Sequence, residues 1–186
     1  MERSKGLMPT LETERLLLRP FEISDKEFVF DLHKDPQVMQ FTGKQPMTTV
    51  LEAKLLLDEI LHPEKGQYAS YQLGRCAVID KSTGKKIGSA GLNYTQSKNI
   101  IEIGYKFLKE FWGQGYATES CKALLDHGFN TRNFDSIAAH IAEENIGSQI
   151  VAERLGMQIH HRFLWEGVIP GRFYTMSKST FQANNL

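Results

Sequence analysis

Trp112-Gly113-Gln114-Gly115-Tyr116-Ala117 stands between two runs of different periodicity. Upstream, residues 100–108 read as a strand. Alternation places Ile101, Ile103 and Tyr105 on one face and Glu102, Gly104 and Lys106 on the other. Downstream, Ala117, Cys121, Leu124, Leu125 and Phe129 share one helical face. Glycines at 113 and 115 let the backbone turn sharply and approach a ligand without a Cβ in the way. The first N–H groups of the helix lack intrahelical partners, and the helix dipole favours negative charge there, so a phosphate fits. A tight strand-to-helix turn with no ligand fits the same six residues, and the rest of the chain must decide.

Lys plus Arg and Asp plus Glu number 22 each, which gives no general pull toward nucleic acid or an anionic membrane. The 186 residues, 41% of them apolar, suit one domain with a real core over 1–186, the first ten forming a loose tail. Cys76 and Cys121 are far apart and make no metal spacing, and Cys121 lies on the apolar helix face as a buried thiol. There is no signal-like or membrane-length apolar run, which predicts a soluble, cytoplasmic protein with neither membrane nor nucleic acid as partner.

Along the chain, 15–21 reads as a strand around Leu16-Leu17-Leu18. Ser24-x-x-Glu27 and Thr49-x-x-Glu52 read as capping boxes that open helices to about 34 and 61. A strand over 70–80, a hairpin turn at 81–85 and a partner strand over 86–94 follow, then the strand over 100–108. After the glycine loop come a helix over 116–130, a strand over 136–142, a helix over 145–155 closed by Gly156, and strands over 158–165 and 172–180. Seven strands and four helices in this order predict an α+β (mixed α/β) fold with a mostly antiparallel sheet. The strand-helix-strand unit over 100–142 predicts one parallel pair with a right-handed crossover.

A second motif joins the first. Residues 144–157 read Glu-Asn-Ile-Gly-Ser-Gln-Ile-Val-Ala-Glu-Arg-Leu-Gly-Met. Asn145-x-x-Ser148, followed by Leu155-Gly156-Met157, resembles the second cofactor motif of the GNAT N-acetyltransferases, and the glycine loop lies where that superfamily binds pyrophosphate. Trp112-Gly-Gln-Gly-Tyr-Ala-Thr-Glu119 and Leu11-Glu-Thr-Glu-Arg-Leu-Leu-Leu-Arg-Pro20 resemble the branch of the ribosomal-protein N-terminal alanine acetyltransferases, as does Glu102-Ile-Gly-Tyr105. The resemblance spans nearly the whole chain. It implies a GNAT-like fold whose parallel strands splay apart, with acetyl-CoA as cosubstrate. The pantetheine arm would enter the gap beside Phe107 and Lys109. Backbone N–H groups from Gln114 through Gly115, Tyr116, Ala117 and Thr118 would hold the pyrophosphate, and Asn145 and Ser148 would touch the arm and the sulfur. Tyr116 packs either over the cofactor or into the core.

The implied reaction is direct transfer of acetyl to a primary amine, a protein N-terminal α-amine by branch resemblance. A polyamine, amino acid derivative or antibiotic is the alternative, and a non-catalytic acyl-CoA sensor is the rival from outside enzymology. Amines hold their proton at neutral pH, terminal ones titrating near ~8 and lysine-like ones near ~10, so a base is needed. The resemblance assigns it to Glu102, which reads equally as an outward strand carboxylate in a salt bridge. Many relatives have a tyrosine acid where Ser148 stands; a serine hydroxyl is a weaker one. Asn145 is also a good N-cap. The resemblance implies a backbone oxyanion donor, and the N–H of Leu108 is the candidate. His140 reads as a site or a satisfied histidine, Trp165 and Tyr174 as groove or core. Neighbouring strand residues His160 and His161 point to opposite faces, and no metal site is expected. Apolar residues late in the chain suit a homodimer contact or a lid.

Overall fold

Leu16 and Leu18 are fully buried while Leu17 points the other way, the period-two signature of a strand with one face on a core. The structure, a computed structural model, describes residues 8–165 and 167–184. In chain order the elements are β1 (Leu11–Glu12), β2 (Leu16–Pro20), α1 (Lys26–Lys34), α2 (Pro36–Met39), α3 (Val50–Ile60), α4 (Gln67–Tyr71), β3 (Gly74–Asp80), β4 (Lys86–Thr95), β5 (Ile100–Phe107), α5 (Tyr116–Asp126), β6 (Ser136–Ala142), α6 (Ile146–Arg154), β7 (Gln158–Trp165), β8 (Ile169–Ser177) and α7 (Lys178–Ala183). The strands form one sheet of order β1-β2-β3-β4-β5-β6-β8-β7. Every neighbouring pair is antiparallel except β5 and β6, which are parallel, as the crossover predicts.

The sheet carries a layer on each face. Leu16, Leu18, Val78, Leu92, Ile103, Ile137 and Met176 pack under α5, α6 and α7 through Leu124, Ala152 and Phe181. On the opposite face Phe21 and Ala77 meet Val29 of α1 and Ala53 and Leu57 of α3. These two helices pack on the β2–β3 side. Cross-strand register puts Glu102, Ala138, His140, Phe173 and Phe163 on that same face beyond them. Cys76 and Cys121 are both buried free thiols.

Several sequence expectations are corrected here. Eight strands and seven α-helices are present among the described residues rather than seven and four, because β1, α2, α4 and α7 are too short to carry a periodic signal. Residues 1–7 of the expected tail lie outside the described residues, and Met8 is buried against Cys76. The stretch before β3 is the helix α4 and not strand. It delivers the Tyr68 ring to the core, where its hydroxyl donates to Arg75 O and accepts from Phe21 N. The helix expected through 130 passes at His127 into a wider π turn. Thr49 and Glu52 form the expected capping box, but Ser24 does not cap; Glu22 and Asp25 make the reciprocal pair there instead.

Asp25 also serves as the centre of a charge cluster while it accepts from Glu22 N. Its carboxylate takes two hydrogen bonds from Arg19, at 2.8 and 2.9 Å, and lies 2.5 Å from Lys86 Nζ, with no exposed surface. Burial pushes its pKa up, but Arg19 and then Lys86 outweigh that and bring it from 3.8 to about 2. Because the folded pKa is the lower one, this stabilisation is complete above about 3.8 and is lost as pH falls through about 2. Asp25→Ala is expected to cost about 3 kcal/mol in urea unfolding at pH 7. The difference from the native chain should shrink near pH 2. A pH-independent difference would count against the ion pairs as its source.

Candidate active site

β5 and β6 meet at one register pair, Glu102 with Ala138, and then part. β5 keeps its full ladder to β4 on the other edge. The N–H of Leu108 belongs to that ladder and donates to Ile87 O at 3.0 Å, which overturns its expected role as an oxyanion donor. By the same alternation the backbone N–H groups of Tyr105 and Phe107 point toward β6. The carbonyl of Phe107 accepts from the indole Nε1 of Trp112 at 2.8 Å. At the far end of β6, buried Gln149 donates from Nε2 to Ala142 O and Glu143 O. Lys109 begins a short 3-10 turn and is exposed.

The glycine loop follows at once. Gly113 and Gly115 have φ of +73° and +84°, a left-handed conformation that disfavours other residues, and Gly115 is the N-cap of α5. No side chain caps this helix. The first hydrogen bond back to the loop is Glu119 N to Gly115 O, so the N–H groups of Tyr116, Ala117 and Thr118 carry no helical bond. Arg15, from the turn before β2, braces the loop. Its guanidinium grips Glu119 at 2.6 to 2.7 Å, donates to Gln114 O at 3.1 Å, and lies 4.5 Å from the Tyr116 ring centroid. Thr13 also donates to Glu119. Tyr116 itself packs on Phe107 and Phe111, the core half of its two readings. Glu14, Gly115, Thr118, Glu119, Lys122 and Arg154 line a depression of about 400 Å³ beside the loop. Arg15 was missed because only the folded chain carries it 99 residues to Gln114.

Asn145 is an N-cap, its Oδ1 accepting from Ser148 N at 3.1 Å. Ser148 therefore sits in the first turn of α6. Beside it is the hydroxyl of Tyr105, buried and lacking a well-formed hydrogen bond of its own. Burial and then Cys121 raise that phenol, and Ser148 opposes them.

At the fork itself Glu102 Oε1 lies 2.9 Å from His140 Nδ1. Burial pushes the carboxyl pKa up, but His140, Arg75 and Lys98 hold it below the usual range. An ionised Glu102 requires Nδ1 to be the donor, which leaves Nε2 of a neutral ring as an acceptor. The ring is enclosed by Phe173, Phe163 and Trp165, at centroid distances of 4.7, 5.1 and 6.2 Å. His140, Phe163, Phe173, Ile100 and Lys98 line a cleft of about 390 Å³. Trp165 thus packs behind His140 and Phe163, whereas Tyr174 is buried on the core face. His160 and His161 do not point apart. A bulge between Ile159 and His161 turns both rings toward Phe173, with their Nδ1 atoms 2.9 Å apart. No group of three potential ligands for a metal ion occurs among the described residues.

Residues 15–158 match the acetyltransferase (GNAT) domain family. The N-acetyltransferase p20 of Bacillus licheniformis is 33% identical over 81% of this chain and 83% of its own length. Spermidine N(1)-acetyltransferase of Escherichia coli is 23% identical over 89% of this chain and 84% of its own. Among solved structures, a GNAT-family acetyltransferase from Bacillus anthracis superposes with a TM-score of 0.80 at 23% identity, covering 92% of this chain and 99% of that one. The chain belongs to the GNAT family and is an acetyl-CoA-dependent N-acetyltransferase.

The brace has a measurable consequence. Arg15→Ala removes a partly exposed ion pair, so global stability should fall by no more than about 1 kcal/mol. The amide of Glu119, bonded to Gly115 O, should exchange with solvent roughly tenfold faster. Unchanged exchange there would mean that the loop holds its shape without Arg15.

Proposed function

We propose that this enzyme, acting as one domain, moves the acetyl group of acetyl-CoA directly to a primary α-amine held at the open face of the sheet beside Glu102 and His140. The observation that carries the reading is the Glu102–His140 contact at the point where β5 and β6 part. The chain's residues fit the cofactor. Uncapped N–H groups at the start of α5, set by two left-handed glycines, suit a pyrophosphate from Gln114 to Thr118. The gap edge at Tyr105 and Phe107 offers backbone groups to an amide-bearing arm, with Asn145 and Ser148 at its other wall. Acetyl-CoA supplies the thioester carbonyl. The protein's part is to remove a proton from the amine, meet the developing oxyanion and return a proton to the sulfur.

Proton removal falls to the Glu102–His140 pair. The carboxylate fixes the ring through Nδ1, and Nε2 accepts the proton. The backbone N–H of Tyr105, the nearer of the two to Glu102, takes the oxyanion role from Leu108, and that of Phe107 is left for the arm. Ser148, with the Tyr105 hydroxyl beside it, places O–H groups at the start of α6 for the sulfur.

The cleft favours an α-amine over a polyamine. Lys98 lines it, Arg75 and Lys106 lie near, and Glu102 is the carboxylate at its fork. A protein N-terminus, expected from residues 11–20 and 112–119, and a free amino acid both present such an amine. The Escherichia coli relative is named for spermidine, which therefore belongs in the assay as a comparator.

Thiol release should be followed with peptides beginning in Ala or Ser, amino acids and spermidine. Glu102→Gln and His140→Ala should each lower kcat by about a hundredfold while calorimetry shows CoA binding intact. Full activity in both variants would overturn the assignment, and CoA binding with no acceptor turned over would favour a sensor. Gly115→Val places a branched side chain at φ +84° and should weaken CoA binding at least about tenfold. Unchanged affinity in a folded variant would remove the pyrophosphate from this loop.

A further inference from the structure

On the sheet face that bears Glu102, the next two residues of β5 are Gly104 and Lys106. Gly104 is opposite Gly91, which is opposite Arg75. The Arg75 side chain reaches across from β3, and its guanidinium rests on the bare backbone of Gly104. A Cβ at that position would collide with both of its terminal nitrogens. Carboxylate, guanidinium and ammonium therefore follow one another along one strand. Lys106 Nζ lies 3.7 Å from Met39 Sδ, Lys44 also faces this group closely enough for repulsion, and burial and the nearby cations keep His33 neutral, its pKa at about 4.

Among the described residues, neither Arg75 nor Lys106 has a carboxylate at ion-pair distance. The countercharge acting on Arg75 is Glu102, already engaged by His140. Elsewhere on the sheet the pattern is different: Arg19 and Lys86 share buried Asp25. Cations withdrawn from water without a partner are costly. Burial, then Arg75 and Lys44, bring Lys106 down to about 7, and burial lowers Arg75 as well. An arriving anion offsets the repulsion between the two cations and supplies the partner that burial denies them.

We infer that Arg75 and Lys106 receive an anionic group of the acceptor, which is a free α-amino acid with its amine at Glu102 and His140 and its carboxylate against the guanidinium that covers Gly104. This rests on the acetyl-transfer reading above. The two stations are one same-face step apart, roughly 6–7 Å along the strand, a span that a small zwitterion bridges with one hydrogen bond at each end. A flat guanidinium suits a carboxylate, to which it donates two parallel bonds. The aromatic wall of Phe163, Trp165 and Phe173 around His140 suits an apolar or aromatic side chain. A polyamine would direct a second ammonium at Arg75 and Lys106.

The test compares phenylalanine and other apolar amino acids with their amides, with phenethylamine and with spermidine, by thiol release from acetyl-CoA. The free acids should exceed their amides by at least about tenfold in kcat/KM. Arg75→Gln and Lys106→Met should each lower that ratio by about the same factor, with CoA affinity retained by calorimetry. Lys106→Met keeps the bulk beside Met39 should Arg75→Gln fold poorly. If Arg75 only positions Glu102, its loss slows acids and amides alike and the ratio stays put, which overturns the inference. A second readout needs no turnover: N-acetylphenylalanine should bind the CoA-loaded enzyme more tightly than N-acetylphenylalaninamide, and the two variants should abolish the difference. Turnover without preference for acids sinks the anion site and leaves acetyl transfer standing. Charge-dependent binding without turnover of any acceptor does the reverse.

Discussion

A sheet that opens in its own interior has to account for the backbone groups it leaves unpaired, and this constraint shapes most of the chain around β5 and β6. The two strands share one register pair and then separate, although each is fully laddered on its outer edge. Buried N–H and C=O groups without partners are expensive, and the structure answers with side chains at the margins. Trp112 donates to Phe107 O, and Gln149 donates twice to the end of β6. What is left facing the gap is a short edge of peptide groups, which an amide-bearing guest can complete as a neighbouring strand would.

The glycine loop extends the same economy of unpaired groups. The start of α5 has no side-chain cap, in contrast to α3, where Thr49 and Glu52 satisfy one another, and α6, where Asn145 accepts from Ser148 N. What distinguishes this bare helix start is the pair of left-handed glycines before it, a geometry that suits an anion. The loop is not held by its glycines alone. Arg15 ties Gln114, Tyr116 and Glu119 together from the far side of the sheet, so the binding geometry depends on the packing of β2 against α5.

Charge is distributed with the same asymmetry. Asp25 gathers two cations in a dry site where all three contribute to stability. A few strands away, Arg75 and Lys106 lie beside a glutamate that already belongs to a histidine. The first arrangement closes a structural joint between β2 and β4. The second leaves two cations without a carboxylate of their own on the sheet face that bears Glu102.

The sequence by itself determined the elements that carry a long period or a local cap. The strands over 86–94, 100–108 and 136–142, the helix after Gly115, the Thr49 box and the Asn145 cap were all legible, because their signals lie within one or two turns of chain. Short segments such as α2, α4 and α7 were not, since five residues cannot display a period and their helicity is imposed by what they pack against, as Tyr68 shows. The faces of strands were readable only up to a bulge: one extra residue near His160 turned two histidines expected on opposite sides toward the same ring. Glu102 and Ser148 could be named from their motifs, but not what stands beside them. His140 is 38 residues from Glu102 and Arg15 is 104 from Glu119. Arg75 reaches Gly104 only because three strands lie in one register with Gly91 between. Contacts of that kind depend on strand register and side-chain direction across the sheet, quantities set by the packing of the whole chain, so only the tertiary structure decided which charges meet at the site.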